Sequence, residues 1–169
     1  IIVLSIHYLS TRSSFLLWWI SSSALIVIST IADQTVTSNW IRAYLITTIF
    51  ALALTFIYFG TAELISKKNH TILYYAWVFY LGMQILFASL PYGVYYYARA
   101  NYSLFMGFLL LVISSSFFSY SRIIPFSSGI SLFNSVIFGA AGVIYIARSV
   151  GYLYYSLTAN ISNLPQWVF

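Results

Sequence analysis

Apolar residues run through this chain in long, nearly unbroken stretches, without the polar alternation expected of exposed secondary structure. A helix needs about 20 mostly apolar residues to cross the hydrocarbon core of a bilayer. Alternation with the period of a strand is missing from the sequence, which argues against an outer-membrane barrel. The pattern therefore predicts membrane-spanning α-helices. The predicted spans cover residues 1–9, 14–32, 41–65, 72–90, 103–120 and 128–157.

Polar or helix-breaking residues separate these stretches. Asp33 begins a polar connection after the second, and residues 66–70 form the most polar part of the chain. Pro91 ends the fourth stretch, because proline cannot continue the backbone hydrogen-bond ladder of a helix. No connection is long enough for a separate domain. We therefore predict one multi-pass domain over residues 1–169, an all-α integral membrane bundle of about six helices, the first of them truncated at its N-terminus.

Composition supports the same class of protein. Of the 169 residues, 62% are hydrophobic and only nine are charged, seven Lys or Arg and two Asp or Glu. A soluble domain of this length would carry roughly forty charged residues. A soluble globular domain, a disordered tail and a nucleic-acid-binding module are excluded, because the net charge of +5 reflects scarce acids and not a basic patch. The chain has no cysteine, which excludes disulfides and thiolate metal sites.

The basic residues of the short loops predict an orientation. If successive loops alternate sides, one side receives Arg12, Lys67, Lys68 and Arg122, and the other receives Arg42 and Arg99 together with Asp33. Short cytoplasmic loops carry an excess of Lys and Arg. The loop with Lys67 and Lys68 is therefore predicted on the cytoplasmic or equivalent side, with both chain ends on the opposite side.

Three N-x-[ST] sequons occur, at Asn69, Asn101 and Asn160. Only Asn101 and Asn160 fall on the predicted outer side. These two are therefore the candidates for glycosylation. The motif is short and often arises by chance.

Charged side chains inside a bilayer are costly, and they often mark a functional site. Arg148 lies within the last predicted span, nine residues before Leu157. Asp33 is the only acid on the same predicted side. Two interpretations stay open: an anion, quinone or lipid headgroup contact framed by Tyr145 and Tyr152, or an arginine that is paired structurally or extends to the interface.

Other polar residues within the spans are interpreted as structural. Glu63 lies four residues before Lys67, the favourable order for an ion pair along a helix. Gln84 and Asn134 should form hydrogen bonds between helices, and they are also candidates for a substrate or water path.

Small residues in the last span predict a face for close helix packing. The candidates repeat at helical spacing and are Ser135, Gly139, Gly142, Ala147 and Gly151. Such a face allows two helix backbones to approach closely. Packing within the chain and packing against another chain both remain open.

Catalytic and cofactor motifs are missing from the sequence. His7 and His70 have no partners at metal-ligand or haem-ligand spacing, and no nucleophile elbow or phosphate-binding glycine motif occurs. His70 is expected to be solvated in its polar loop. We expect no cofactor, although bound lipids are expected, and an autonomous enzyme is disfavoured.

Two resemblances suggest classes of membrane protein. Residues 79–87 resemble a Tyr-x-Gly…Leu-Phe stretch in the small core subunit (chain 6 type) of proton-pumping NADH–quinone oxidoreductases, with Met83 and Gln84 in place of two small apolar residues. The short helices with basic inner ends are similar to multi-pass sensory domains of prokaryotic signalling proteins. We transfer no functional residue from either class.

The resulting hypothesis is a non-catalytic multi-pass subunit of a larger membrane complex, such as a respiratory or other energy-transducing one. It would act in assembly, helix packing and lipid or quinone contact, with the bilayer and other membrane subunits as partners. An alternative is a small oligomeric transporter or channel. A further alternative is a membrane-embedded sensory module that signals through a partner chain. No nucleic acid partner is expected.

Overall fold

The computed structural model describes residues 13–35, 42–64, 70–88, 95–123 and 128–158, together with Ile2, Ser5 and Leu9 near the N-terminus. Within this part of the chain the secondary structure is helical and contains no strand. The helices are α1 (Ser14–Thr35), α2 (Thr47–Leu64), α3 (Thr71–Ala88), α4 (Tyr95–Ile123) and α5 (Ser128–Thr158), and a π-helical turn (Arg42–Ile46) leads into α2. The all-helical prediction is confirmed.

Four segments in the described ranges are long and apolar enough to cross a membrane: Ser14–Thr35, Tyr44–Leu64, Tyr96–Arg122 and Gly129–Leu157. Helix α3 is also apolar but shorter. The lengths and compositions suggest an integral membrane protein. The number of about six spans stays a prediction, because most of residues 1–9 lie outside the described part.

Two helix boundaries differ from the predicted spans. Helix α4 begins at Tyr95, eight residues before the predicted start at residue 103, and Asp33 lies in the last turn of α1 and not in a connection. The polar side chains of Arg99 and Asn101 lowered the local hydropathy, but the folded bundle provides partners for such groups. Asn101, for example, is buried and donates a hydrogen bond from Nδ2 to the backbone oxygen of Tyr80, at 3.3 Å.

Helix α4 lies at the centre of the bundle and contacts α2, α3 and α5, while α1 packs on α2. Its large side chains Phe105, Met106 and Leu109 belong to the main buried cluster. The ring of Phe105 stacks on that of Tyr80 from α3, with 4.4 Å between centroids. The aromatic and aliphatic side chains of the central helix therefore hold three neighbours together.

Helices α4 and α5 cross at backbone distance. A Cβ placed on Gly107 would lie 2.9 Å from the backbone oxygen of Gly142, and one on Gly142 would lie 3.1 Å from the backbone oxygen of Gly107. Ser114 and Ser135 exchange hydrogen bonds, with Ser114 Oγ donating to the Ser135 carbonyl at 2.7 Å and Ser135 Oγ donating to the Ser114 carbonyl at 2.9 Å. Small residues thus allow contacts that larger side chains would prevent.

The predicted small-residue face is therefore an internal seam over part of its length. Gly139 also faces Ser114, because a Cβ there would lie 3.1 Å from its Oγ. Ala147 is exposed, which corrects its placement on this face, and Gly151 is half-buried. Five residues rotate about 140° around a helix, so Ala147 faces away from Gly142. Ser149, seven residues after Gly142, returns to the seam and donates to the Ala100 carbonyl at 2.8 Å.

Substitution of Gly107 or Gly142 by alanine should destabilise the bundle by about 1–3 kcal/mol, since the added methyl group meets a backbone oxygen that cannot move aside. Gly82→Ala is the matched control, because a Cβ at Gly82 meets nothing within 4 Å. Thermal unfolding in detergent measures the effect. Equal midpoints for Gly107→Ala and Gly82→Ala would contradict the close crossing.

The serine pair should contribute a smaller amount. Ser114→Ala and Ser135→Ala should each lower stability by about 0.6 kcal/mol. Their combined effect should be non-additive, since the two side chains also lie 3.2 Å apart. A double-mutant cycle measures the coupling. Ser119→Ala is the control, because its exposed hydroxyl donates only within its own helix, to the Ser115 carbonyl.

Candidate functional site

A cavity of about 280 Å³ lies between α1, α2, α4 and α5. It is formed by the C-terminal end of α1, the N-terminal ends of α2 and α4, and the second half of α5. All of these belong to the side of the bundle that the loop analysis assigned to Asp33 and Arg99. Three charged side chains line the cavity, Asp33, Arg99 and Arg148. The structure therefore brings the predicted pair Asp33 and Arg148 to one site and adds Arg99.

The described lining of this cavity has a net positive charge. Two guanidinium groups and one carboxylate give a formal sum of +1. Arg99 and Arg148 are half-buried, whereas Asp33 is exposed at the end of α1. A positive site partly shielded from water attracts anions more strongly than the same charges on an open surface.

The two arginines are positioned by the α4–α5 crossing. Arg99 directly precedes Ala100, and Arg148 directly precedes Ser149. The Ser149 hydroxyl donates to the Ala100 carbonyl at 2.8 Å, and both of these residues are buried. This bond fixes one helical turn against the other, so that the arginines from two helices face one cavity.

Two tyrosines of α5 flank the Arg148 head group. Its Cζ lies 5.6 Å from the ring centroid of Tyr145 and 5.9 Å from that of Tyr152, within the range of a cation–π contact. Nη2 also donates to the Tyr152 hydroxyl at 3.2 Å. The side chain is thus held in the cavity wall by residues three before and four after it. These contacts fit a ligand contact framed by Tyr145 and Tyr152, and they fit an arginine that is paired structurally equally well.

The uncharged lining is partly polar and partly apolar. The hydroxyls of Ser29 and Thr30 both donate to the Ile26 carbonyl, at 2.9 and 2.8 Å, so their hydrogens are used within α1. The arginines therefore provide the charged hydrogen-bond donors of the cavity. The rings of Tyr102 and Tyr145 meet edge to face, with 6.4 Å between centroids. Ile46 and Phe50 complete an apolar part of the wall.

The remaining candidate polar residues do not line this cavity. Glu63 lies exposed at the far end of α2 and accepts a hydrogen bond from the Ser14 hydroxyl, while Lys67 lies outside the described residues. Asn134 is half-buried on α5. Gln84 is buried, yet neither amide atom has a hydrogen-bond partner among the residues that the structure describes, contrary to the predicted bond between helices.

The sequon at Asn101 is only 9% exposed and lies inside α4. Its amide nitrogen is the donor to Tyr80 described above, so the folded bundle leaves no space for a glycan there. Asn160 lies outside the described residues, and glycosylation at that position stays a prediction.

A second cavity, of about 290 Å³, lies at the opposite end of the bundle between α2, the start of α3 and α4. His70 lines it, half-buried, with Nδ1 3.2 Å from the Tyr58 hydroxyl. Its ring also meets the ring of Phe59 edge to face at 5.2 Å. The expectation of a solvated His70 is therefore corrected, because aromatic neighbours cover it. His7 lies outside the described residues.

Among the lining residues that sequence reasoning missed, Arg99 and Tyr102 come from the start of α4. The predicted fifth span excluded Arg99 and began just after Tyr102. The sequence did contain a signal: no proline or glycine occurs between Tyr95 and Tyr102, so nothing there would end a helix. The spacing of three residues then places Arg99 and Tyr102 on one helix face.

Comparison with protein-family models, with curated proteins and with solved structures finds no match to this chain. The function of this chain is therefore inferred from the cavity and its charges.

The chain has no native cysteine, so a single introduced cysteine can be labelled uniquely. Thr30→Cys should react with a membrane-impermeant thiol reagent from one side of a proteoliposome, and His70→Cys from the other, because the two cavities lie at opposite ends of the bundle. The side from which each cysteine reacts is measured by protection assays with the reagent added outside or inside. Labelling of both positions from one side would contradict a membrane-spanning orientation of α1 to α4.

Proposed function

We propose that this chain is a membrane-embedded binding module for a small anionic ligand, of the sensory kind that signals through a partner chain. The observation that carries the proposal is the convergence of Arg99 and Arg148, from two helices, on one cavity whose described lining sums to +1. An anion in this cavity would neutralise the excess positive charge where water is partly excluded.

Arginine suits this task for a chemical reason. Its guanidinium is planar and always charged, and it can donate two parallel hydrogen bonds to a carboxylate or a phosphate. Arg148 is held by two tyrosines, so less side-chain entropy is lost when an anion binds. Preorganisation of this kind increases affinity without any new contact.

The packing between the two cavities favours a binding module over an open channel. In chain position, Ala51 and Leu54 of α2 and Phe105 and Met106 of α4 lie between the residues that line the two cavities. All four are at most 6% exposed. The cavity touches four helices, so its occupant would alter their relative packing, which is what a sensor needs.

This proposal places Asp33, Arg99 and Arg148 at the outer side of a bundle of about six spans, with Lys67 and Lys68 on the cytoplasmic or equivalent side. The accessory subunit of a respiratory or other complex, and the oligomeric transporter, stay predictions from the sequence. A bound lipid is a specific version of the present proposal, since an anionic headgroup carries the same chemistry as a soluble anion.

The test uses the purified chain in nanodiscs of phosphatidylcholine, with acetate, benzoate and inorganic phosphate as probes at constant ionic strength. At least one anion should raise the thermal unfolding midpoint in a saturable way. Arg99→Gln and Arg148→Gln should each weaken that stabilisation by at least about tenfold in apparent Kd, as expected for loss of a charge-assisted contact. A parallel series in nanodiscs with phosphatidylglycerol distinguishes a lipid headgroup, which would compete with the soluble anions.

Arg122→Gln is the matched control. Arg122 lies at the other end of α4, exposed, with Cζ 4.4 Å from the centroid of the Phe118 ring. The substitution Arg122→Gln removes the same charge as Arg148→Gln but lies outside the cavity, so it should leave anion binding unchanged. The proposal fails if no anion, soluble or lipid, stabilises the protein, or if Arg122→Gln weakens binding as much as Arg148→Gln.

A further inference from the structure

We infer that the cavity between α1, α2, α4 and α5 selects a monoanion, namely a small monocarboxylate with an apolar body, and that Asp33 determines this choice. The inference rests on the proposed function and adds the chemical class of the ligand. It follows from three features of the cavity: its charge sum, its volume and the chemistry of its wall.

The charge sum limits the ligand to one negative charge. Arg99 and Arg148 contribute +2 and Asp33 contributes −1, so a monoanion brings the described lining to zero. A dianion would leave one excess negative charge, and that excess would face the Asp33 carboxylate. This sum does not depend on which arginine lies nearer to Asp33. Uncompensated charge is costly where water is partly excluded, so the neutral combination is the stable one.

The net charge of the cavity lining also favours carboxylates over free phosphates. A phosphate monoester carries a charge of about −1.5 to −2 at neutral pH, because its second pKa is near 6. A monocarboxylate carries −1 throughout the neutral range. Asp33 therefore disfavours inorganic phosphate and phosphate monoesters, although the two guanidinium groups alone would bind them.

Volume and wall chemistry describe the rest of the ligand. The cavity has a volume of about 280 Å³, which is enough for a small organic ligand. Ile46 and Phe50 form one apolar part of the wall, and the rings of Tyr102 and Tyr145 form another. A flat or branched apolar body of benzoate size would contact these side chains while its carboxylate met the arginines.

Benzoate and phthalate provide a matched pair of probes, since phthalate adds a second carboxylate to the same ring. Binding is measured by calorimetry and by the thermal midpoint at pH 7.5, in phosphatidylcholine nanodiscs, with empty nanodiscs as the blank. Wild-type protein should bind benzoate at least about tenfold more tightly than phthalate, the expected effect of a like-charge contact. Asp33→Asn should reduce or reverse this ratio, by about tenfold or more, because the lining then sums to +2.

Glu63→Gln is the charge-matched control, since Glu63 is the chain's other acid and lies at the far end of α2. It should keep the wild-type ratio of affinities. If Asp33→Asn fails to fold, the wild-type comparison decides the selection of a monoanion, and Asp33→Ser then tests whether Asp33 determines it.

The outcomes separate this inference from the proposed function. If no anion binds, soluble or lipid, the proposed function fails and the inference fails with it. If phthalate binds as tightly as benzoate and Arg148→Gln weakens both, the proposed function is supported and selection of a monoanion is overturned. If a few per cent of phosphatidylglycerol in the nanodisc displaces benzoate, a monoanionic lipid headgroup is the ligand and the assignment to a monocarboxylate is overturned.

Discussion

The close crossing of α4 and α5 is the contact on which the other features of this structure depend. In a bilayer the hydrophobic effect does not drive helices together, because lipid tails are as apolar as the side chains they would replace. Close packing and interhelical hydrogen bonds must hold them instead. Gly107 and Gly142 bring the two backbones together, the pair Ser114 and Ser135 bonds across the seam, and Ser149 bonds to Ala100 near the opposite end. These contacts hold the two helices over much of their shared length.

The charged cavity is a consequence of that crossing. The bond from Ser149 to Ala100 joins the residues that follow Arg148 and Arg99, so the geometry of the seam decides how the two guanidinium groups are placed. Helices α1 and α2 then close the cavity from the other side and add Asp33. A rotation of α5 by one residue, about 100°, would carry Arg148 away from the cavity, so the site and the seam depend on the same register.

The outward faces of the bundle fit a lipid environment. Ile72, Val78 and Ile85 on α3 are each about 70% exposed, and α5 carries comparable apolar side chains on the face opposite the seam. In water such a surface would favour aggregation, whereas in a bilayer it contacts acyl chains of the same polarity. The charged groups of the described residues lie near the helix ends and in the cavity, where they cost least.

The sequence by itself determined the fold class. Long apolar stretches and only nine charged residues were enough to predict an all-helical membrane protein, and the described helices agree with most of the predicted ranges. The start of α4 was missed because the polar residues Arg99 and Asn101 lower the hydropathy of that stretch. The folded bundle nevertheless gives Asn101 a backbone partner. The small-residue pattern correctly placed Gly139 and Gly142 on a packing face, but it could not tell that α4 was the partner or that Ala147 faces outward.

Pairing of Asp33 with Arg148 was open to sequence reasoning, because both belong to one predicted side and few alternatives exist. Only the tertiary structure added Arg99, Tyr102 and the net charge of the site. Periodicity determines which residues share the face of one helix. It carries no information on the rotation of that helix relative to its neighbours, which is decided by steric contacts such as that between Gly107 and Gly142.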